Sequence, residues 1–218
     1  EKWEKWLMTS VSTQTKTHLS QKFPLKTASH NIIISANYLP DDKLVQKIKA
    51  LKEDEALFDG DVLVAFFTET PVEKHDLSKC KRIVLEHVPS KIENVWDIFS
   101  KNAEALQSDF NMLTQGRQSQ PLSTTNQVLN SENIFLEEGA QVEFSILNAS
   151  TGPIYIGKGA QIMEGCTIRG GLALCDNAVI KMGAKLYGPS NFGPYCKVGG
   201  EVSNSVLFAH SNKGHEGF

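Results

Sequence analysis

Several features that would assign a chain to a class at once are missing here. There is no basic run among the 218 residues and the net charge is −3, so the electrostatic footprint of a phosphate-backbone reader is absent and nothing points to nucleic acid. No stretch reaches the ~18 apolar residues of a membrane-spanning helix. The opening Glu1-Lys2-Trp3-Glu4-Lys5-Trp6 has no signal-peptide hydrophobic region. A soluble, cytoplasmic protein is the expectation. Cysteine is scarce: Cys80, Cys166, Cys175 and Cys196 form no C-x-x-C pair and show no Cys/His metal spacing. They read as small side chains in a reduced compartment, three of them at repeat positions.

What the chain has is a rhythm. Ile156, Ile162, Ile168, Leu174, Ile180, Leu186, Phe192 and Val198 stand at strict intervals of six. At about 30% apolar usage per position, eight in phase arise by chance on the order of once in ten thousand. A period of six fits neither a helix nor a simple strand. It is the repeat of a parallel β-helix built from hexapeptides, three to a coil, with the aliphatic residue inward. Four residues after each of the first seven stand Ala160, Cys166, Leu172, Ala178, Ala184, Ser190 and Cys196, mostly small and suited to tight corners. Gly157, Gly159, Gly165, Gly183 and Gly193 are expected at positive φ. The repeat starts earlier and out of phase at Leu136, Val142 and Ile154, with a shift of two at the turn-forming Asn148-Ala149-Ser150-Thr151-Gly152-Pro153. After Val198 it fails, and a loop or a distorted coil is expected. Residues 134–218 make about four to five coils of roughly 18 residues. The chain lacks an initiator Met and ends at Gly217-Phe218 without a cap for the open β-helix; a fragment of a longer protein is expected.

The first 115 residues have α/β texture, and 40% hydrophobic content suffices for one large or two small domains. Asn31–Ala36, Val62–Phe67 and a segment around Arg82 to His87 read as strands. Leu44, Val45, Ile48 and Leu51 recur at helical spacing behind Pro40-Asp41-Asp42 and predict a helix over about 41–53. Ile92, Val95, Trp96, Ile98, Phe99 and Ala103 predict another over about 91–107. Trp3, Trp6 and Trp96 read as packing. Residues 114–131 are polar and linker-like. The expected organisation is an α/β nucleotidyltransferase-like domain, incomplete, over 1–113, a linker over 114–131 and a truncated left-handed parallel β-helix over 132–218.

Chemistry is sought where the rhythm breaks. His210-Ser211-Asn212-Lys213-Gly214-His215-Glu216-Gly217-Phe218 is a polar, glycine-containing run, and an imidazole on a rigid scaffold is a good general base because its pKa lies near neutrality. Acyl transfer from a thioester needs little beyond such a base and backbone N–H groups for the oxyanion. The bland reading of His215 is an exposed loop histidine, and of Lys213, Lys197 and Arg169 solvated lysines and arginine. Tyr187 and Tyr195 are candidates for sugar packing or an intersubunit contact.

The repeats leading into Lys197–Val206 and then Ser211-Asn-Lys-Gly-His215 resemble the bifunctional UDP-N-acetylglucosamine pyrophosphorylase/glucosamine-1-phosphate N-acetyltransferase family. Asn133-Ile-Phe-Leu-Glu-Glu-Gly-Ala and Ser150-Thr-Gly-Pro-Ile-Tyr-Ile-Gly look like its alternate, shortened Bacteroidetes-type form. The resemblance covers residues 85–218 well and the first 80 weakly. It implies a hexapeptide-repeat transferase of the nucleotide-sugar pathway that acetylates glucosamine-1-phosphate with acetyl-CoA, transfers a nucleotide to a sugar-1-phosphate, or does both. By resemblance His215 is the catalytic base, and Lys185, Glu201, Asn212 and Lys213 bind substrate. Glu201 falls where the family has a glutamate, and Lys185 near a substrate-binding arginine. The resemblance also implies a homotrimer, acetyl-CoA as acyl donor, and Mg2+ for nucleotidyl transfer where that domain is active. The departures are that no Leu-x-x-Gly-x-Gly-Thr-Arg loop occurs in residues 1–115 and that Ser203 stands where the family has a lysine. As given, the chain is expected to be an incomplete catalyst.

Two other classes compete. A γ-carbonic-anhydrase-like metal enzyme would use His210 and His215 as zinc ligands, but its third histidine, about two coils upstream, has no counterpart in residues 132–209. A non-catalytic trimeric β-helix would bind a nucleotide sugar or a partner.

Overall fold

The computed structural model describes residues 2–69 and 76–217; Glu1 and Phe218, the ends on which the fragment expectation turned, lie outside them. The chain divides into two compact units, 1–93 and 94–218. The division falls upstream of the expected linker.

Unit 1 begins with two short helices, α1 (Lys2–Leu7) and α2 (Thr17–Ser20), and then runs β1 (Asn31–Ile34), α3 (Asp42–Lys49), β2 (Glu55–Asp59), β3 (Val62–Thr68) and β4 (Lys81–Val84). The sheet order is β1-β3-β2-β4, with β3 antiparallel to both neighbours and β2 parallel to β4. Helix α3 begins as the sequence predicts: Asp41 caps it by accepting from the Leu44 N–H at 2.8 Å. Leu44, Ile48 and Leu51 pack with Tyr38, Leu57, Val64 and Ala65, and Trp3 and Leu7 of α1 join that cluster. Strand β2 was not anticipated.

Unit 2 opens with α4 (Asp97–Ser100) and α5 (Asn102–Thr114). The helix predicted over 91–107 is displaced towards the C-terminus. Its apolar stripe is not a core face, since Val95 is 79% and Trp96 60% exposed. The buried face is instead Asn102, Leu106 and Phe110, at the i, i+4, i+8 spacing of a single helical stripe.

The rest is a left-handed parallel β-helix. Its strands are β5 (Gln127–Leu129), then β6 (Ile134–Leu136), β7 (Gln141–Val142) and β8 (Ile146–Asn148), then β9 (Ile154–Ile156), β10 (Gln161–Ile162) and β11 (Thr167–Arg169). Next come β12 (Leu172–Leu174), β13 (Val179–Ile180) and β14 (Lys185–Tyr187), then β15 (Ser190–Phe192), β16 (Lys197–Val198) and β17 (Glu201–Ser203), and last β18 (Val206–Leu207) and β19 (Asn212–Lys213). They stack into three five-stranded faces, β5-β8-β11-β14-β17, β6-β9-β12-β15-β18 and β7-β10-β13-β16-β19. All eight residues of the six-residue rhythm are buried, none more than 3% exposed. The seven residues that follow them by four are not outer corners; they are buried too and complete the interior.

The irregularities in the rhythm have a structural cause. Between β7 and β8 the corner holds three residues, one fewer than the four between β10 and β11; between β8 and β9 it holds five, three more than the two between β11 and β12. The net gain of two is the phase shift seen in the sequence, and the inward residue in between is Leu147. The segment after Val198 is not a loop: β17, β18 and β19 stay in parallel register with β14, β15 and β16. The coil is shorter because Gly199-Gly200 spans a corner that takes Lys181–Ala184 one coil earlier.

The expected linker is docked on this scaffold. Ser119 Oγ accepts from the Leu136 N–H at 2.9 Å, Asn126 Nδ2 donates to Val142 O at 2.7 Å, and β5 forms the first strand of its face. Helix α5 lies against β15, with Asn102 Nδ2 donating to Pro189 O at 3.1 Å. Just beyond it, Arg117 sits 5.1 Å over the Phe135 ring and pairs with Glu137 at 2.6 Å, and Tyr155 stacks on Phe135.

Candidate functional site

One edge of the prism, where the β7 face turns into the β5 face, carries a cleft of about 420 Å³ lined by Met163, Lys181, Met182, Gly183, Gly199, Gly200, Gly214, His215 and Glu216. It opens where the corner is short. Lys181 has a register counterpart above it, since the Lys181 N–H donates to Val198 O and the Gly199 N–H to Lys213 O. Met182 has none after the two-residue deletion, and it stands 69% exposed as a cleft wall. The glycines are required by proximity. A Cβ on Gly199 would come within 2.8 Å of Gly214 O, and one on Gly200 within 2.7 Å of Glu216 N, so only bare backbone lets residues 214–216 settle over the coil beneath.

His215 stands at the exposed rim of this cleft, two residues beyond the end of β19. Its Nδ1 lies 3.0 Å from Glu216 O. A carbonyl can only accept, so this contact needs a proton on Nδ1; in the neutral ring the lone pair is then on Nε2, the tautomer a general base needs. Lys213 Nζ donates to Gly199 O and to His215 O, both at 3.0 Å, which ties the segment to the coil below. Lys185 Nζ lies 3.6 Å from Glu216 Oε1. Lys185 and Glu201 are register partners on β14 and β17; Glu201 accepts a short hydrogen bond from the Tyr187 hydroxyl, which raises the phenol pKa. Asn212 pairs in register with Lys197 on the outer β7 face.

The structure thus gathers His215, Lys213 and Lys185 around one corner and places Glu201 and Asn212 beside it; of these five only His215 lines the cleft. Sequence reasoning missed Met163, Lys181, Met182 and Glu216. A signal for two of them was there: Met163, Lys181 and Gly199 are spaced by 18, one coil apart, and so share a column. His210, the other histidine of the run, lies at a different edge, its ring stacked on Tyr195 with centroids 5.1 Å apart.

The model of the family described as sugar nucleotidyl transferase matches residues 1–118, more than half of the chain. The chain belongs to the sugar nucleotidyl transferase family. Neither the curated proteins nor the solved structures contain a match. A sugar nucleotidyl transferase region followed by a hexapeptide β-helix is the make-up of a sugar-nucleotide transferase. In this family member no group of three His, Cys, Asp or Glu side chains converges as metal ligands among the described residues. In unit 1, Asp59 is already engaged by Lys91 at 3.1 Å and the Tyr38 hydroxyl at 3.1 Å. Also among the described residues, no helix is long and apolar enough to cross a membrane. The four cysteines are free, with Cys166 and Cys196 buried, and burial pushes the Cys175 thiol up to about 11, which makes Cys175 a packing group rather than a nucleophile.

Proposed function

We propose that the β-helix of this sugar-nucleotide transferase acylates the amine of an amino-sugar phosphate, glucosamine-1-phosphate in the first instance, with acetyl-CoA as donor and His215 as general base. The observation that carries this is the His215 imidazole at the rim of the short-corner cleft, its tautomer set by the Glu216 carbonyl. In that tautomer Nε2 takes a proton from the amine as the nitrogen attacks the thioester carbonyl. The C–S bond then breaks, the amide forms and the thiolate leaves, to be protonated in turn. The resemblance of the repeats to hexapeptide acetyltransferases supports the same reading, together with a homotrimer and a cytoplasmic location.

The test is acetyl-CoA-dependent acetylation of glucosamine-1-phosphate by the chain and its His215→Ala variant. Loss of a general base lowers kcat by at least about a hundredfold; full activity in the variant overturns the assignment. Calorimetry separates the binding-scaffold alternative, because a chain that gives no heat with millimolar CoA is not an acyltransferase.

A further inference from the structure

Three ammonium groups surround the His215 cleft, and two are committed. Lys213 is spent on the carbonyls of Gly199 and His215, and Lys185 faces the Glu216 carboxylate. Lys181 is half-buried and lines the cleft, and its ammonium has no hydrogen-bond or ion-pair partner among the described residues. It lies over the Gly214 backbone, 3.5 Å from where a Cβ on that residue would stand. The column to which it belongs has Met163 beneath and Gly199 and Gly214 above, so the space into which Lys181 extends is kept open by the absence of side chains. Glu216, the one carboxylate on the cleft wall, is compensated by Lys185. The cleft therefore holds one positive charge without a counterion, and a half-buried charge in a hollow is favourable once an anion fills it.

We propose that Lys181 is the anion anchor of the cleft and that the group it takes is a phosphate monoester. Membership of a sugar nucleotidyl transferase family makes a phosphorylated ligand the chemistry at hand. Two sources carry that group, a sugar 1-phosphate and the 3′-phosphate of CoA. The link to an acetylated sugar rests on the acyl-transfer reading above; the phosphate site does not. Lys181, rather than Lys185 or Lys213, then decides whether a phosphorylated ligand is preferred.

The experiment is calorimetric titration of the full chain with inorganic phosphate, glucosamine-1-phosphate, glucosamine, CoA and 3′-dephospho-CoA, in the wild type, Lys181→Met, Lys181→Arg and Lys185→Met. Removing the charge is expected to weaken at least one phosphomonoester by at least about tenfold, with Arg restoring most of it. Lys185→Met, which removes the partner of Glu216 and leaves that carboxylate in the cleft, is expected to weaken phosphate binding by less than Lys181→Met does. A loss confined to glucosamine-1-phosphate identifies the sugar as the source, and one confined to CoA over its dephosphorylated form identifies the nucleotide. Unchanged affinity in Lys181→Met, a larger loss in Lys185→Met, or no phosphate binding by the wild type overturns the proposal. Lys181→Gln serves as a second neutral variant should Lys181→Met be unstable. Phosphate binding through Lys181 without acetyl transfer would sink the acyl-transfer reading alone. Acetyl transfer with unchanged KM values for both glucosamine-1-phosphate and acetyl-CoA in Lys181→Met would sink this one alone.

Discussion

The same edge of the prism is turned in two ways in successive coils. Between β13 and β14 the chain uses four residues, Lys181–Ala184; between β16 and β17 it uses two, Gly199 and Gly200. In the longer corner Gly183 adopts φ +71° with nothing within 4 Å of where a Cβ would be, whereas in the shorter one Gly200, at φ +73°, has Glu216 N and Cα and His215 C all within 2.9 Å of that point. Both corners deliver their strands into the same parallel register. The difference shows how a repeat scaffold can acquire a site by losing residues. Two residues removed from a corner leave the layer beneath uncovered and draw the next layer over it, and the inward ladder continues through Val198 and Val202, both buried.

The sharpest way to break that comparison is to add one methyl group to each corner. Gly183→Ala meets open space and is expected to lose only about 1–2 kcal/mol of stability, through left-handed backbone strain. Acetyl transfer and phosphate affinity should be unchanged. Gly200→Ala carries the same strain and in addition forces residues 214–216, with His215, off the coil. It is expected to lose at least about 2 kcal/mol in stability and most of its activity. Urea midpoints and initial rates of both variants decide the matter. Equal stability losses with activity intact in Gly200→Ala would mean that the two corners are equivalent and that the short one builds no site.

How much of this could be read from the sequence follows from the same repetition. Each inward position of the β-helix is specified again in every coil, so a lapse such as Asn204, six residues after Val198, does not hide the pattern. The lapse itself was informative, yet a deletion and a loop look alike in one dimension. Only the register of β19 on β16 shows that the coil closes. In unit 1 each element is specified once. Helix α3 was legible because cap and stripe agree, while β2 was not, since Glu55–Asp59 has only Ala56 and Leu57 fully buried. The displaced helix has a similar cause. Val95, Trp96 and Phe99 give a stronger helical stripe than Leu106 and Phe110, but it is the latter pair that is buried on α5. His215 was legible as a polar residue at the break, and the structure puts it at the rim of the cleft. Lys181 was not, because its significance lies in which of three lysines lacks a partner.

The comparison can be sharpened in the first coil, where the residue after β6 is Glu137, while Gly157, Cys175 and Gly193 follow the strands above it on the same face. Glu137 is 6% exposed and bonded to Arg117 at 2.6 Å and to the Tyr155 hydroxyl at 2.7 Å. The Arg117 guanidinium holds its carboxyl below the ordinary value of 4.5, against the opposing effect of burial. With a depressed folded pKa, its contribution is fully present above the ordinary value and is lost as pH falls through the folded one. Because Arg117 is 45% exposed, the pair is expected to contribute only about 1–2 kcal/mol. Glu137→Gln should lower the unfolding free energy from urea titration at neutral pH by that amount and flatten the fall in stability below pH 4.5. A variant whose acid profile matches the wild type would show that the first corner needs no charge.

The smallest effect separates strain from stacking at the edge between the β6 and β7 faces. The third corner residue there is left-handed in every coil: Gly139 at φ +75°, Gly159 at +61°, Asn177 at +56°, Tyr195 at +61° and His210 at +63°. Glycine and asparagine hold such a φ readily, whereas for tyrosine and histidine it costs about 1–2 kcal/mol each. The Tyr195 and His210 rings lie 5.1 Å apart and within 2° of parallel, an arrangement that returns about 0.5–1.5 kcal/mol. Tyr195→Gly and His210→Gly should each relieve strain and lose the same stack, leaving stability within about 1 kcal/mol of the wild type. The double variant relieves both strains and loses the stack only once. It should exceed the sum of the single changes by the stacking energy, about 0.5–1.5 kcal/mol. Strict additivity in that cycle would mean that the rings contribute nothing to each other and that the left-handed column alone sets the edge.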